Sequence, residues 1–258
     1  MKEKFHIAEE NGKRSFECTH KEAYEAFMDE EAIAAASRML ENRFTSKKSE
    51  TAKERNQQTA IARKHLDFKE NNGVVVCDFE SCIPQAMYAK GSGGAEKNPR
   101  LDLIAIRLPE DGQKATLYLI EYKCNKAACV DEETGLAQHR KDMDNIEKIG
   151  NEYKCEILRR FRLMSQKEFG LLRNQPENLS EILQYLENDP GEVTLKKCFL
   201  FTEGEGLSWE TVKEICEKQR KSGTDDDFCY LFSEDYKCVD LSQMKCWSEF
   251  VKSVGRGV

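Results

Sequence analysis

Two carboxylates and a lysine stand at the ends of two apolar stretches of this sequence. Glu121 and Lys123 end one stretch, 115–123, and Asp102 stands near the start of the other, 101–108. Residues i and i+2 of a β-strand share a face, so Glu121 and Lys123 are expected to point the same way, about 6–7 Å apart. An antiparallel hairpin closing at 109–112 would bring Asp102 beside them.

This set of groups suits metal-assisted hydrolysis. Two hard oxygen ligands fit Mg²⁺ or Mn²⁺, which prefers one or two carboxylates together with water and phosphate oxygens. A bound metal would lower the pKa of its water and stabilise charge that develops on a phosphate. Lys123 would orient the nucleophile or face the transition state. The predicted reaction is hydrolysis of a phosphodiester.

The spacing of Glu121 and Lys123 is weak evidence by itself. The same spacing recurs at Asp67/Lys69, Glu152/Lys154 and Asp235/Lys237. Asp102 is the more informative residue, because an unpaired carboxylate inside an apolar strand is costly to bury and a functional site explains it readily. The alternative is an ion pair of Glu121 and Lys123 on the strand surface, with Asp102 at a strand edge.

The elements that must position these residues follow from periodicity and turn chemistry. Helices are predicted at 21–42, 48–68, 135–150, 153–172, 180–186 and 208–220. Strands are predicted at 74–79, 101–108, 115–123, 195–202 and 228–232, with a mobile glycine-rich loop at 81–99. This order fits one mixed α/β domain over 1–258 with a small central sheet: 1–70 helical, 71–150 the catalytic core, and 151–258 completing the fold.

Composition and charge narrow the classes of function. The chain has 258 residues and a net charge of −7, which argues against a protein that coats nucleic acid by bulk attraction. Basic clusters at 38–69 and 154–173 are compatible with a local basic surface, but solvated helix faces are the favoured explanation of each cluster taken alone. The first ten residues lack an apolar core and no later run is long enough to span a bilayer, so a cytoplasmic protein without membrane contact is expected.

Eleven cysteines are present, an odd number that favours reduced thiols over a disulfide framework. Cys77/Cys82 and Cys124/Cys129 form two C-x4-C pairs around the motif. Four such cysteines can hold zinc or an iron–sulfur cluster, but the close C-x2-C spacing of zinc sites is lacking. Buried small side chains are the expected role, with a cysteine-held metal as the alternative.

The segment 98–106, with Pro99 and Asp102, followed by 117–123, with Glu121 and Lys123, resembles the PD-(D/E)XK nuclease signature. The resemblance covers 71–149, and Pro99 stands three residues before Asp102 rather than next to it. It implies a restriction-endonuclease-like α-β-β-β-α-β core with added N-terminal helices and C-terminal α/β elements. It also implies a Mg²⁺- or Mn²⁺-dependent nuclease, with DNA as the expected substrate.

The same resemblance implies further site residues. The metal ligands would be Glu80, Asp102 and Glu121, with Glu54 or Glu50 competing for the role of Glu80. Gln138, on the helix that follows the lysine strand, would face the site. Its neighbour His139 either meets phosphate or faces solvent, and His65 is assigned no role. The alternative function is a catalytically degenerate binding or partner subunit. The acidic net charge suggests that a homodimer or a protein partner contributes to binding nucleic acid.

Overall fold

Six strands of the chain form one mixed β-sheet. The computed structural model describes residues 6–10, 13–17, 50–82, 100–110, 113–132, 135–166, 171–219 and 227–253, without the side chains of 6–10, 13–17, 50–52, 80 and 82. The strands of the sheet are β3 (Val74–Cys82), β4 (Arg100–Arg107), β5 (Ala115–Lys123), β6 (Val193–Thr202), β7 (Phe228–Ser233) and β8 (Lys245–Cys246). A separate antiparallel pair consists of β1 (His6–Glu10) and β2 (Lys13–Glu17).

The sheet order is β3-β4-β5-β6-β7-β8. The pairs β5/β6 and β6/β7 are parallel, and the pairs β3/β4, β4/β5 and β7/β8 are antiparallel. The carboxyl ends of β5 and β6 therefore lie at the same edge of the sheet. Lys123, the last residue of β5, is in register with Phe201 of β6.

Seven α-helices lie within the described ranges. They are α1 (Glu50–Lys64), α2 (Lys126–Val130), α3 (Leu136–Ile149), α4 (Asn151–Met164), α5 (Leu179–Asn188), α6 (Trp209–Gln219) and α7 (Trp247–Ser253). Short 3₁₀ helices occupy Pro190–Glu192, Tyr236–Cys238 and Leu241–Gln243. Among the helices so described, none combines the length and apolar character that a bilayer crossing requires.

The alternation of side chains along the strands buries both faces of the sheet. On one face, the core contains Ile61 of α1, Tyr122 of β5 and Leu241 of the last 3₁₀ helix. On the other face, Leu119 of β5 packs in a core that includes Met143 of α3 and residues of α4 to α7. The central strands are apolar at almost every position because neither of their faces meets water.

The α/β class, the mixed sheet and the antiparallel β4/β5 pair confirm the predictions made from periodicity. Strand β5 has the predicted bounds, and β4, β6 and β7 differ from theirs by one or two residues. Strand β3 runs on to Cys82, so Ser81 and Cys82 belong to a strand and not to the predicted loop. The rest of that loop and the predicted helix at 21–42 lie outside the described residues.

Two predictions of secondary structure were wrong, and three short elements were missed. The first third is not wholly helical, because β1 and β2 pair on either side of Asn11-Gly12, a dipeptide typical of tight hairpins. The helix predicted at 153–172 ends at Met164, where the Ser165 hydroxyl donates to the Arg162 carbonyl. The short elements α2, β8 and α7 were not predicted, since two to seven residues carry little periodicity.

His65 connects the end of α1 to the 3₁₀ helix Leu241–Gln243 by hydrogen bonds. The Leu241 amide donates to His65 Nε2 at 3.2 Å, so the ring proton must sit on Nδ1, which donates to the Ile61 carbonyl at 2.8 Å. Both nitrogens are satisfied only in the neutral ring. Burial lowers the pKa of His65 to about 4, and the structure thus gives a role to a histidine that had none from sequence.

Acidification should therefore destabilise the fold through His65. The unfolded chain takes up this proton near pH 6.5 and the folded chain only near pH 4, so the contribution of the neutral ring is present above pH 6.5 and lost as the pH falls to about 4. We expect a loss of about 3 kcal/mol in the free energy of unfolding across that window. Urea unfolding of wild type and His65→Asn between pH 7 and 4 measures it. Parallel curves for the two proteins would contradict the assignment.

Candidate active site

Strand β5 places Glu121 and Lys123 on the face of the sheet covered by α3. The Lys123 Nζ lies 2.7 Å from Glu121 Oε1, and the two side chains are only 8% and 3% exposed. The pair is thus buried at the carboxyl end of a central strand. It is not the strand-surface ion pair that the spacing alone would allow.

Asp102 lies where the pairing of β4 with β5 ends. The last register pair at this end is Leu103 with Ile120, and beyond it the Tyr122 amide donates to Asp102 Oδ2 at 2.9 Å. The Asp102 carboxylate therefore accepts the hydrogen bond that a backbone carbonyl of β4 would otherwise accept from Tyr122. This contact holds Asp102 beside Glu121. Burial and then the charge of Glu121 raise the pKa of Asp102 well above its usual range, against the opposing effect of Lys123.

His139 of α3 completes the contacts of Glu121. Its Nε2 lies 2.8 Å from Glu121 Oε1 and 3.5 Å from the Lys123 ammonium. Both donors thus converge on a single carboxylate oxygen. Among the described residues, Glu121 Oε2 and His139 Nδ1 are buried without a hydrogen-bond partner. A buried polar atom without a partner is costly.

The charges of this cluster are strongly interdependent. Burial alone would raise the pKa of Glu121, but Lys123 and the hydrogen bond from His139 outweigh it and bring that pKa below its usual value. Burial alone would lower the pKa of Lys123, but Glu121 and then Asp102 raise it above its usual value. The structure therefore holds an ionised Glu121 against an ionised Lys123.

Glu54 of α1 reaches the same cluster from the other direction. Its side chain is partly buried, and burial raises its pKa, with Lys123, Glu121 and His139 acting on it electrostatically in that order. Glu80 occupies the β3 position opposite Asp102, between the register pairs Phe79/Leu103 and Ser81/Leu101. The side chains of Glu80 and Glu50 lie outside the described residues, so the choice between Glu80 and Glu54 stays a prediction.

Gln138 lies on the same helix as His139 but makes a different contact. Its Nε2 donates to Asp142 Oδ1 at 3.0 Å, one helical turn away. The residue of α3 that contacts Glu121 and Lys123 is its neighbour His139. The role of Gln138 in the site stays a prediction.

A second polar network fixes the end of β5 from the opposite face. The Tyr122 hydroxyl donates to Gln57 Oε1 of α1 at 2.6 Å and lies 2.5 Å from the Thr202 hydroxyl at the end of β6. The turn after β6 then packs so closely that a Cβ added to Gly204 would lie 1.9 Å from the Cys124 carbonyl oxygen. Sequence reasoning missed Thr202, although a hydroxyl that ends an apolar strand is a usable signal.

Helix α3 is tied to the sheet beyond His139. The Arg140 guanidinium lies 4.4 Å from the centre of the Phe228 ring and donates to the Tyr230 hydroxyl of β7. The Lys197 ammonium of β6 bonds to Asp144 and Glu147 of α3 at 2.7 and 2.8 Å. Contacts from β5, β6 and β7 thus fix the rotation of the helix that carries His139.

The basic cluster predicted at 154–173 is largely neutralised by ion pairs. Arg159 and Arg160 pair with Glu156, and Arg160 also pairs with buried Asp78. The other pairs join Arg162 to Glu187 and Arg173 to Asp67. Among the described residues of the cluster, these four arginines thus have part of their charge balanced by carboxylates of the chain. Much of the cluster at 38–69 lies outside the described residues.

The described cysteines of the two C-x4-C pairs serve as buried thiols. Cys77 and Cys129 donate to the carbonyls of Ile104 and Asn125, and burial raises the pKa of Cys124 to about 11 and of Cys129 to about 12. In the part of the chain that the structure describes, no group of three or more His, Cys, Asp or Glu side chains is arranged to hold a metal ion.

Comparison of the chain with protein-family models, curated proteins and solved structures gave no match.

Proposed function

We propose that this protein is a metal-dependent nuclease that hydrolyses phosphodiester bonds of nucleic acid, with DNA as the first substrate to test. The observation that carries the proposal is the arrangement around Glu121. Lys123 and His139 both engage Oε1, whereas Oε2 is buried and has no hydrogen-bond partner among the residues that the structure describes. Asp102 lies close enough for the charge of Glu121 to act on its carboxylate. A cation is the ligand that such a pair of carboxylates attracts.

The donor set fits Mg²⁺ or Mn²⁺. Asp102 and Glu121 would hold the ion, and two carboxylates suffice because Mg²⁺ keeps several waters and takes substrate oxygens. Glu54 is not arranged with them as a third ligand, which leaves Glu80 as the predicted third carboxylate. A bound ion would lower the pKa of a coordinated water and stabilise the charge of the phosphate as it is attacked. Burial and the charge of Glu121 both raise the pKa of Asp102, and a cation would favour the ionised carboxylate against both.

The remaining residues have roles that follow from their contacts. Lys123 has three N–H donors and gives a short one to Glu121, so others can face a phosphate oxygen or the attacking water. Its charge offsets the negative charge that builds up in the transition state. His139 holds Glu121 Oε1 from the side opposite the strand and so orients Oε2.

The order of elements around the site supports a restriction-endonuclease-like arrangement. Helix α1 precedes three antiparallel strands, β3 to β5, and β6 returns parallel to β5 after the helical segment that contains α3. With the added helices α2, α4 and α5 set aside, this order is compatible with the α-β-β-β-α-β core that the sequence resemblance implies. The net charge is acidic, and arginines of α4 pair with carboxylates of the same chain. Because binding of nucleic acid needs cations that neutralise phosphates, a second copy or a partner protein would supply part of the basic surface.

The test is cleavage of single- and double-stranded DNA and RNA with Mg²⁺ or Mn²⁺, in which Asp102→Asn should lower the rate roughly 10²-fold. The amide keeps an oxygen for the Tyr122 N–H, so the fold should survive, but the charge that attracts the cation is lost. Chelation by EDTA should stop the wild-type reaction.

The matched control is Asp144→Asn, which removes one of the two carboxylates of α3 that pair with Lys197. Its cleavage rate should stay within about twofold of wild type, since Glu147 still holds Lys197 and no group of the site is changed. Equal rates for Asp102→Asn and wild type would overturn the site assignment. Binding of nucleic acid and of Mg²⁺ without cleavage would instead favour a degenerate binding subunit.

A further inference from the structure

Three cysteines stand side by side across three neighbouring strands, on a part of the sheet distant in sequence from the site. Cys198 of β6 is in register with Cys229 of β7, and Cys229 is in register with Cys246 of β8. Directly opposite residues of paired strands point to the same face. The three residues therefore form one row of thiols, with Cys229 in the middle, and all three are reduced.

The three thiols differ in their access to solvent. Cys246 is exposed, Cys229 is 9% exposed, and Cys198 is fully buried. Burial and contact with the Cys229 thiol raise the pKa of Cys198 well above its usual range, so Cys198 stays protonated and unreactive. Cys246 is the thiol that a soluble oxidant meets first, and Cys229 is its direct neighbour.

The geometry of the outer pair suits a disulfide. Opposed residues of an antiparallel pair have Cα atoms about 4.5–5.5 Å apart, within the range of about 4.4–6.8 Å that disulfides adopt. Strand β8 has only two residues and lies at the edge of the sheet, so it can shift by the few tenths of an ångström that bond formation needs. Cys198 and Cys229 instead lie on two longer parallel strands inside the sheet.

We propose that Cys246 is an oxidation site at which hydrogen peroxide converts Cys229 and Cys246 into a cross-strand disulfide. The Cys246 thiol releases its proton, its sulfur attacks a peroxide oxygen, and the O–O bond breaks to give sulfenic acid and hydroxide, which takes up the released proton as the first water. The Cys229 sulfur then attacks the sulfenic sulfur, the S–O bond breaks, and the departing hydroxide takes the Cys229 proton to give a second water. Two thiols lose two electrons in total, and hydrogen peroxide is reduced to two waters.

The Cys229–Cys246 disulfide would close a loop that contacts the end of α1. Between Cys229 and Cys246 lie the Val239 carbonyl, which accepts from the Lys64 ammonium at 2.8 Å, and the Leu241 amide, which donates to His65. Cross-linking a loop of this length restricts the unfolded chain. We expect the melting temperature of the oxidised protein to rise by roughly 5–10 °C.

The experiment treats the full chain with hydrogen peroxide, alkylates the remaining thiols in denaturant, and maps the peptides by mass spectrometry. The expected result is a peptide that links Cys229 to Cys246, together with a higher melting temperature, both reversed by dithiothreitol. Cys246→Ser should abolish both effects. Cys238 is the matched control, because it is also exposed but lies in a 3₁₀ helix outside the sheet, and Cys238→Ser should leave both effects intact.

Two results would overturn the proposal. One is a Cys246 that ends as sulfinic acid while Cys229 is recovered as a free, alkylated thiol. The other is a link between Cys198 and Cys229 with Cys246 unmodified. The proposal does not rest on nuclease activity, and the substitution at exposed Cys246 is not expected to impair folding.

Discussion

Replacing Lys123 by methionine should lower metal-dependent cleavage roughly 10³-fold, the largest loss that we expect from a single side chain of the site. The variant removes the charge that faces the substrate. It also removes the stronger of the two influences that keep Glu121 ionised, so that the burial effect raises the pKa of Glu121 and weakens its hold on a cation. Single-turnover cleavage assays and Mg²⁺ titration calorimetry measure the two consequences.

Lys197→Met is the matched control for Lys123→Met. Lys197 is also a buried lysine of the central sheet with carboxylate partners, but those partners are the half-exposed Asp144 and Glu147 of α3. Lys197→Met therefore removes one anchor of α3 but no charge of the site itself, and its loss of rate should be small beside that of Lys123→Met. Loss of a buried charge destabilises in both cases, so rates are compared at a temperature at which circular dichroism shows both variants folded. A Lys123→Met protein that cleaves as fast as Lys197→Met would refute the assignment.

Arg160→Met should lower the free energy of unfolding by about 3–5 kcal/mol. The Arg160 guanidinium lies 3.3 Å from Asp78 Oδ2, and the two side chains are only 3% and 1% exposed. Without the arginine, the Asp78 carboxylate would be left in the core without its cation. Such a charge costs more than the ion pair contributes, because water cannot replace the missing partner. Urea unfolding at pH 7 measures the change.

Arg159→Met provides the comparison on the same helix. Arg159 pairs with Glu156 at 3.1 Å but remains partly exposed, so its loss should cost no more than about 1 kcal/mol. Combining Arg160→Met with Asp78→Asn should recover part of the stability, since the double variant no longer buries an uncompensated charge. Equal destabilisation by the two arginine variants would show that burial does not determine how much each ion pair contributes to stability.

The local geometry of the site could be predicted from sequence because it depends on neighbours along the chain. Strand alternation places Glu121 and Lys123 on one face, and the short connection between β4 and β5 sets Asp102 beside them. The antiparallel pairing and the contact of Asp102 with the Tyr122 amide agree with that placement. Each step needs only the periodicity of a strand and the length of a turn.

Helical periodicity could have identified the residue of α3 that contacts Glu121. Leu136, Met143 and Ile146 form the buried stripe of this helix. His139 lies three residues after Leu136 and four before Met143, on that stripe, whereas Gln138 is rotated by about 100° from it. Helical phase therefore favours His139 over Gln138 as the residue nearest the sheet.

The contribution of α1 could not be predicted in this way. Glu54 reaches Lys123 only because α1 crosses the opposite face of the sheet and ends against the 3₁₀ helices, through Lys64 and His65. That crossing depends on contacts between segments more than 170 positions apart in sequence. No pattern within 48–68 specifies it.

The three anchors of α3 have a consequence for how a substrate would be received. Because β5, β6 and β7 each hold this helix through His139, Lys197 and Arg140, its orientation is already determined before any ligand arrives. The entropy of ordering the helix is lost during folding and not during binding. Such a site is preorganised, so most of the interaction with a ligand at Glu121 is available as affinity or rate acceleration.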